Sequence, residues 1–278
     1  MRMSPARTQR IAVVLLWTLA AATIGVLLFI ISFVLAKGLP HLTWTFLTES
    51  PREMGREGGI LPMLVGTIWV TALAVFIAAP IGVGTAVYLT EYTRDSKLTA
   101  VIRFGADCLA GIPSIIFGLF GFVFFVITLG MGLSILSGAL TLAIMVLPTI
   151  IRTSEEAIKA VPPAYRDVSY GLGSTRWQMV TKVVLRSALP GIVTGVVLSV
   201  GRSISETAAV MLTAGSALGL PRSIFDSSRT LSLHFYIMSR EGISMEKAYA
   251  TASVLILAIL VINVAANWLT RRFVGRSA

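Results

Sequence analysis

The sequence predicts an all-α polytopic membrane protein with six transmembrane helices. Three observations carry that expectation. Hydrophobic residues make up 55% of the chain against 13% charged, and the mean hydropathy is +0.85, a balance far from that of a water-soluble domain. The apolar residues fall into six runs, each long enough to cross about 30 Å of hydrocarbon at about 1.5 Å per helical residue. The polar stretches between these runs carry most of the lysine and arginine.

Arg2, Arg7 and Arg10 precede the first apolar run, from about Ile11 to Ala36. It has the polarity of a signal peptide, but it is longer than a signal h-region and no Ala-x-Ala site follows. A retained first helix is therefore expected. Residues 37–59 form a polar loop in which Glu49, Glu53 and Glu57 are set against Lys37, Arg52 and Arg56. This composition break separates an N-terminal helix and loop, residues 1–60, from a core of five helices, residues 61–278. The second helix covers about Pro62–Leu89, where Pro80 permits a kink. After the link Glu91–Arg103, a third apolar stretch to about Leu129 contains AGIPSIIFGLFG at Ala110–Gly121. Gly111 and Pro113 can break the helix there, leaving Ser114 near a new helix N-terminus, where amides attract anions; the other reading is a packing kink. The fourth helix covers about Leu133–Ile151, the fifth Pro190–Ala214 and the sixth Tyr249–Leu269.

Six spans put both termini on one side. Of the 23 lysines and arginines, 15 fall on the face with the termini and 7 on the other, Arg202 lying within a span. By the positive-inside rule the termini are cytoplasmic. The net charge of +10 reflects such loops rather than a nucleic-acid surface. Cys108 is the sole cysteine, which rules out an internal disulfide and a cysteine-based metal site. His41 and His234 read as loop or interface residues. No GxxxxGK[ST] occurs, so the chain has no ATP site of that kind and no cofactor of its own is expected. Ser203 in GRSIS departs from a GxSxG nucleophile elbow, and no catalytic constellation is present.

Two polar stretches stand out. The first is Val161–Ile192, VPPAYRDVSYGLGSTRWQMVTKVVLRSALPGI. Pro162 and Pro163 can open a helix, Tyr165, Val168 and Leu172 give it one apolar face, and Gly171 and Gly173 can end it. Thr175 to Gln178 reads as a capping box opening a second helix with Trp177, Val180, Val184 and Ala188 along one side. The second stretch is LSVGRSISETAAVMLTAG, Leu198–Gly215. An arginine near the membrane midplane costs about 2.5–3.5 kcal/mol, so Arg202 should face water or a partner, and Glu206, one turn on, can pair with it. Two readings stay open: a structural ion pair, or a charge lining a solute pathway. Gly191, Gly195, Ser199, Ser203 and Thr207 form a small-residue stripe suited to close helix packing.

The first stretch resembles the coupling loop of binding-protein-dependent ABC importer permeases, whose pattern is Glu-Ala-Ala, then a glycine, then Ile-x-Leu-Pro. Asp167, Val168 and Ser169 stand at the Glu-Ala-Ala positions, Gly173 at the glycine and Val183–Leu185 at Ile-x-Leu; Arg186 replaces the proline. With AGIPSIIFGLFG and the Arg202 stretch, the chain beyond residue 60 looks like the phosphate-specific permeases of that family, best the PstA branch. The resemblance implies a type I ABC importer permease fold with the coupling loop at about residues 153–190. It also implies phosphate import with ATP hydrolysed elsewhere. Asp167, Val168, Ser169, Gly173 and Trp177 would contact the ATPase; Arg202, Glu206, Ser203 and Ser114 would line the pathway. The implied partners are a sister permease (PstC-like), a dimer of ATP-binding subunits (PstB-like) using ATP and Mg, an extracytoplasmic phosphate-binding protein (PstS-like) and membrane lipid. A permease for molybdate, sulfate or another small solute is the nearest alternative, and a membrane scaffold or sensor a more distant one.

Overall fold

The computed structural model describes residues 5–93 and 96–274, so Arg2, Arg94 and Arg276 of the charge count lie outside the described residues. Helix α1 (Pro5–Gly38) leads through a 3-10 turn into the short α2 (Trp44–Thr48). Two-residue strands β1 (Pro51–Arg52) and β2 (Glu57–Gly58) then pair antiparallel, Pro51 opposite Gly58. Helix α3 (Leu61–Val87) passes through Pro80 as one helix and continues as a π-type turn over Tyr88–Tyr92. Next come α4 (Lys97–Ala110), α5 (Ser114–Gly121) with a wide continuation to Thr128, and α6 (Ile135–Lys159). The connection α7 (Pro163–Gly171) and α8 (Arg176–Met179) leads through a π-type turn, Val180–Val184, into α9 (Leu185–Ser205). The chain continues with α10 (Ala208–Thr213), α11 (Leu231–Arg240) and α12 (Met245–Val274).

Among the described residues five helices are long and apolar enough to cross a membrane, and a sixth span is formed if α4 and α5 count together. Those two are bent by 101° at Gly111–Pro113. The Gly-Pro step is thus a full break, because Pro113 (φ −58°, ψ 139°) takes an extended conformation and its ring removes a helical amide.

Helix α6 forms the centre. Its Leu142, Met145, Val146 and Ile150 pack on Val70, Ala74 and Ala78 of α3, and Phe117 of α5 with Ala209 and Val210 of α10 close the cluster. The small-residue stripe on α9 faces α6: a Cβ on Gly191 would lie 2.6 Å from that of Ala157, and one on Gly195 would overlap the Thr153 hydroxyl. Close approach of this kind is how helices gain dispersion contacts where lipid removes the hydrophobic drive. Helix α1 differs. Its apolar stretch is almost wholly exposed, and it packs on α12 through Phe33 against Tyr249.

The fifth helix departs from expectation at both ends. It begins at Arg176, because the capping box opens a helix that runs on through the wide turn and past Arg186. It ends at Ser205, where an unbroken helix to Ala214 had been expected. Glu206 is extended (φ −72°, ψ 131°), and the chain restarts as α10. His234 is also no loop residue: it lies in α11 and is 1% exposed.

Candidate functional site

The α6–α9 connection is built from local signals. Pro162 caps α7, and the helix closes in a Schellman arrangement: Ser174 N–H donates to the Ser169 carbonyl (3.2 Å) and Gly173 N–H to that of Tyr170 (2.9 Å). Gly173 holds φ +77°, the left-handed conformation this arrangement needs. Ser169 is buried and its hydroxyl meets that of Ser174 at 2.6 Å, fastening the turn from inside. Thr175 and Gln178 form the reciprocal capping box. Met179, Val180, Val184 and Ala188 then bury against Ala86, Ile158 and Val161.

Trp177 does not join that buried side. Met179 takes the inward position at the start of the wide turn, and Trp177 is left 67% exposed beside Tyr88 and Tyr92. The apolar ridge of α7 also points outward: Tyr165, Val168 and Leu172 are 51%, 63% and 82% exposed. Asp167 shares this exposed surface. The connection therefore offers an outward patch of apolar and aromatic side chains mounted on a buried, hydrogen-bonded base.

The second group sits where two helices break. Gly118 of α5 abuts Ala209 and Gly121 abuts Thr213, so α5 and α10 run parallel. In that register Ser114, the first residue of α5, stands level with the break at Glu206. The Glu206 carbonyl accepts from the Ser232 hydroxyl (2.6 Å), and its carboxylate accepts from Ala209 N–H at the start of α10 (3.3 Å). The carboxylate is thus turned toward α10 and forms no ion pair with Arg202, contrary to expectation. A continuous helix would have stacked the two side chains one turn apart; the extended backbone at Glu206 removes that geometry. Arg202 lies in the last turn of α9, exposed and without an ion pair among the described residues. Ser203 is 3% exposed on the packing stripe, a different face of α9 from Arg202.

Sequence reading missed a set of paired charges near the α6–α9 connection. Glu91, 7% exposed in the π-type turn after α3, receives Arg166 at 2.7 and 3.1 Å. Glu155 of α6 bridges Arg103 (2.8 Å) and Lys159 (2.6 Å), and Asp107 meets Arg152 at 2.5 Å. Glu91 and Glu155 end or follow an apolar run beside several cations, and Asp107 interrupts the start of one, which is the signal that would have drawn attention to them. In the segment leading into α11, buried Arg229 donates to the Ser216 carbonyl (3.1 Å). Burial first, then the positive charges of Arg229 and Lys247, lower the His234 imidazole pKa to about 4.

Residues 78–277 match the family described as the binding-protein-dependent transport system inner membrane component. The probable ABC transporter permease protein YqgI of Bacillus subtilis is 32% identical over 280 residues, covering 94% of this chain and 95% of that protein. The phosphate transport system permease protein PstA 1 of Mycobacterium tuberculosis is 33% identical over 256 residues, covering 90% and 83%. Among solved structures, a bacterial ABC transporter involved in import of the acidic polysaccharide alginate superposes with a TM-score of 0.65 at 16% identity, covering 97% of this chain and 99% of that one. The inward-facing MetNI methionine ABC transporter gives 0.63 at 21% identity, covering 75% and 93%. These structures share the fold.

Proposed function

The chain belongs to the inner membrane components of binding-protein-dependent transport systems, and from that premise we propose that it forms half of a heterodimeric channel importing inorganic phosphate. A membrane component of this kind is a transport subunit that works with a second permease, an ATPase and a binding protein. In our reading these are PstC-like, PstB-like and PstS-like, with ATP and Mg bound by the ATPase.

The observation that carries the substrate is Arg202. A bare anion in a low-dielectric passage is prohibitively costly, and a guanidinium stays charged and offers a planar fork that fits phosphate oxygens. Glu206 is engaged with α10, which leaves the fork available. Ser114 at the neighbouring helix start adds a hydroxyl at the same level. Ser203 serves this pathway by closing α9 onto α6. The likeness to phosphate permeases favours phosphate over other oxyanions. Proteoliposomes holding the assembled importer and its binding protein should take up phosphate in preference to sulfate and molybdate. Preferential uptake of either rival would overturn the substrate, and no uptake of any would favour a scaffold.

The ridge of Tyr165, Val168 and Leu172, with Asp167 and Trp177 beside it, is the ATPase contact in this reading, and Ser169 and Gly173 hold it in shape. The termini and this ridge are cytoplasmic. In a Cys108→Ser background, Arg56→Cys and Glu241→Cys should react with an impermeant thiol reagent on intact cells. Leu172→Cys should react only after permeabilisation; labelling it from outside would reverse the orientation.

A further inference from the structure

We infer that Arg166 and Glu91 are positioning residues that lock α7 onto the ends of α3 and α6, so that displacement of α7 is passed into the membrane helices. This inference rests on the reading of α7 as the ATPase contact.

Four observations support it. The buried stripe of α3 steps by four residues through Val70, Ala74, Ala78, Gly82 and Ala86, and then by five to Glu91. The π-type turn thus carries the carboxylate onto the buried face, and such turns are concentrated at functional positions. A carboxylate buried there is costly without a partner, and Arg166 supplies a two-pronged one, Nη2 at 2.7 Å and Nε at 3.1 Å. The same guanidinium then donates to the Ile158 carbonyl (3.0 Å), in the last turn of α6, and to the Val161 carbonyl (2.8 Å), two residues past the end of that helix. One side chain of α7 therefore joins the ends of both helices that form the core. Finally, α7 presents its ridge outward on the side away from this anchor, so its inner and outer faces are divided between the chain and a partner. A helix held only by flexible connections would yield when pushed. A helix bonded to α3 and α6 moves them.

The assembled importer, with sister permease and ATPase subunits, provides the test. Cys108→Ser removes the native thiol, and Ser205→Cys, exposed at the end of α9, reports on the broken-helix region. Its labelling rate is compared between nucleotide-free and ATP–vanadate-trapped importer, which needs no transported solute. In the otherwise unsubstituted protein the two rates should differ by about fivefold or more, the lower end of ordinary coupling between sites. Glu91→Gln and Arg166→Lys should retain the ATPase subunits and trap nucleotide, yet bring that ratio close to one. Arg166→Lys keeps the charge and loses the fork, so a folding defect in one variant leaves the other to decide. A full nucleotide response in both variants would overturn the inference, as would loss of the ATPase subunits from both. No response in the unsubstituted protein would overturn it together with the reading beneath it. Leu172→Asp separates the two: ATPase retention and an intact response there reject the contact assigned to α7, whatever the anchor variants do.

Discussion

The paired charges beside the α6–α9 connection, of which Glu91 and Glu155 are buried, and the charge at the end of α9 are treated in opposite ways. Beside the connection, Glu91, Glu155 and Asp107 each hold a cation at 2.5 to 2.8 Å. In the broken-helix region Arg202 has no such partner among the described residues, and Glu206 is turned to cap α10. A satisfied buried pair fixes geometry, and breaking one by removing a partner costs about 3–5 kcal/mol. An unsatisfied guanidinium is instead free to meet a mobile anion. In the function proposed above, the first region holds shape and the second meets solute.

The sharpest way to break this contrast is to exchange charges at the second region. Arg202→Glu combined with Glu206→Arg would restore a structural pair if one existed. Because Glu206 is not paired with Arg202, the exchange should leave phosphate uptake very low although the protein still assembles. Losing one charge-assisted bond of about 2 kcal/mol slows passage roughly thirtyfold. Arg202→Lys should fall between, keeping charge without the fork. Near-normal uptake by the exchanged protein, at matched membrane levels, would return Arg202 to a structural role.

A smaller effect is expected from the packing that supports both regions. Gly195→Leu would drive a side chain into Thr153, and overpacking of this kind costs about 1–3 kcal/mol. The thermal midpoint of the purified protein should fall, and Gly195→Ala should fall less. An unchanged midpoint for Gly195→Leu would mean that α6 and α9 do not approach this closely.

At Gly173 the cost is conformational. A Cβ there meets open space, so only φ +77° opposes substitution. Gly173→Val should cost about 1–2 kcal/mol and loosen the turn, lowering solute-stimulated ATP hydrolysis while leaving membrane insertion intact. Gly173→Asn should be nearly neutral, since asparagine enters the left-handed region more readily. Equal activity in both variants would show that the turn tolerates other shapes.

These two regions were unequally legible in the sequence. The Schellman glycine, the capping box and the proline start of α7 are local signals, and local chemistry decides them. The spans follow from hydropathy, and the small-residue stripe predicted a packing face that Gly191 and Gly195 do present to α6. The break at Glu206 was hidden because Ile204–Ala208 contains neither glycine nor proline; the Ser232 hydroxyl, far along the chain, stabilises it. Arg166 and Glu91 are 75 residues apart, and no periodicity links them. A regular helix from Thr175 would turn Trp177 inward, whereas the wide turn at Val180–Val184 gives that position to Met179.

The smallest effect at neutral pH, and the one most confined in its range, belongs to His234 in α11. This imidazole is buried, and the charges that bear on it, Arg229 and Lys247, are both positive. Its pKa is lowered from 6.5 to about 4 in the folded protein. Between these values the unfolded chain holds a proton that the folded chain does not. Stability therefore rises with pH across that window and is lost as pH falls from about 6.5 toward 4. Above it, both states carry a neutral ring and the residue contributes no pH dependence. The full loss is about 3 kcal/mol, reached only near the lower limit. His234→Gln removes the titrating group while keeping a side chain able to hydrogen-bond. Melting of the purified protein should show a similar midpoint for both forms at about pH 7.5, with the native form dropping faster toward about pH 5. Parallel curves over the whole range would mean that the ring accepts a proton in the folded state, and that Arg229 is screened from it.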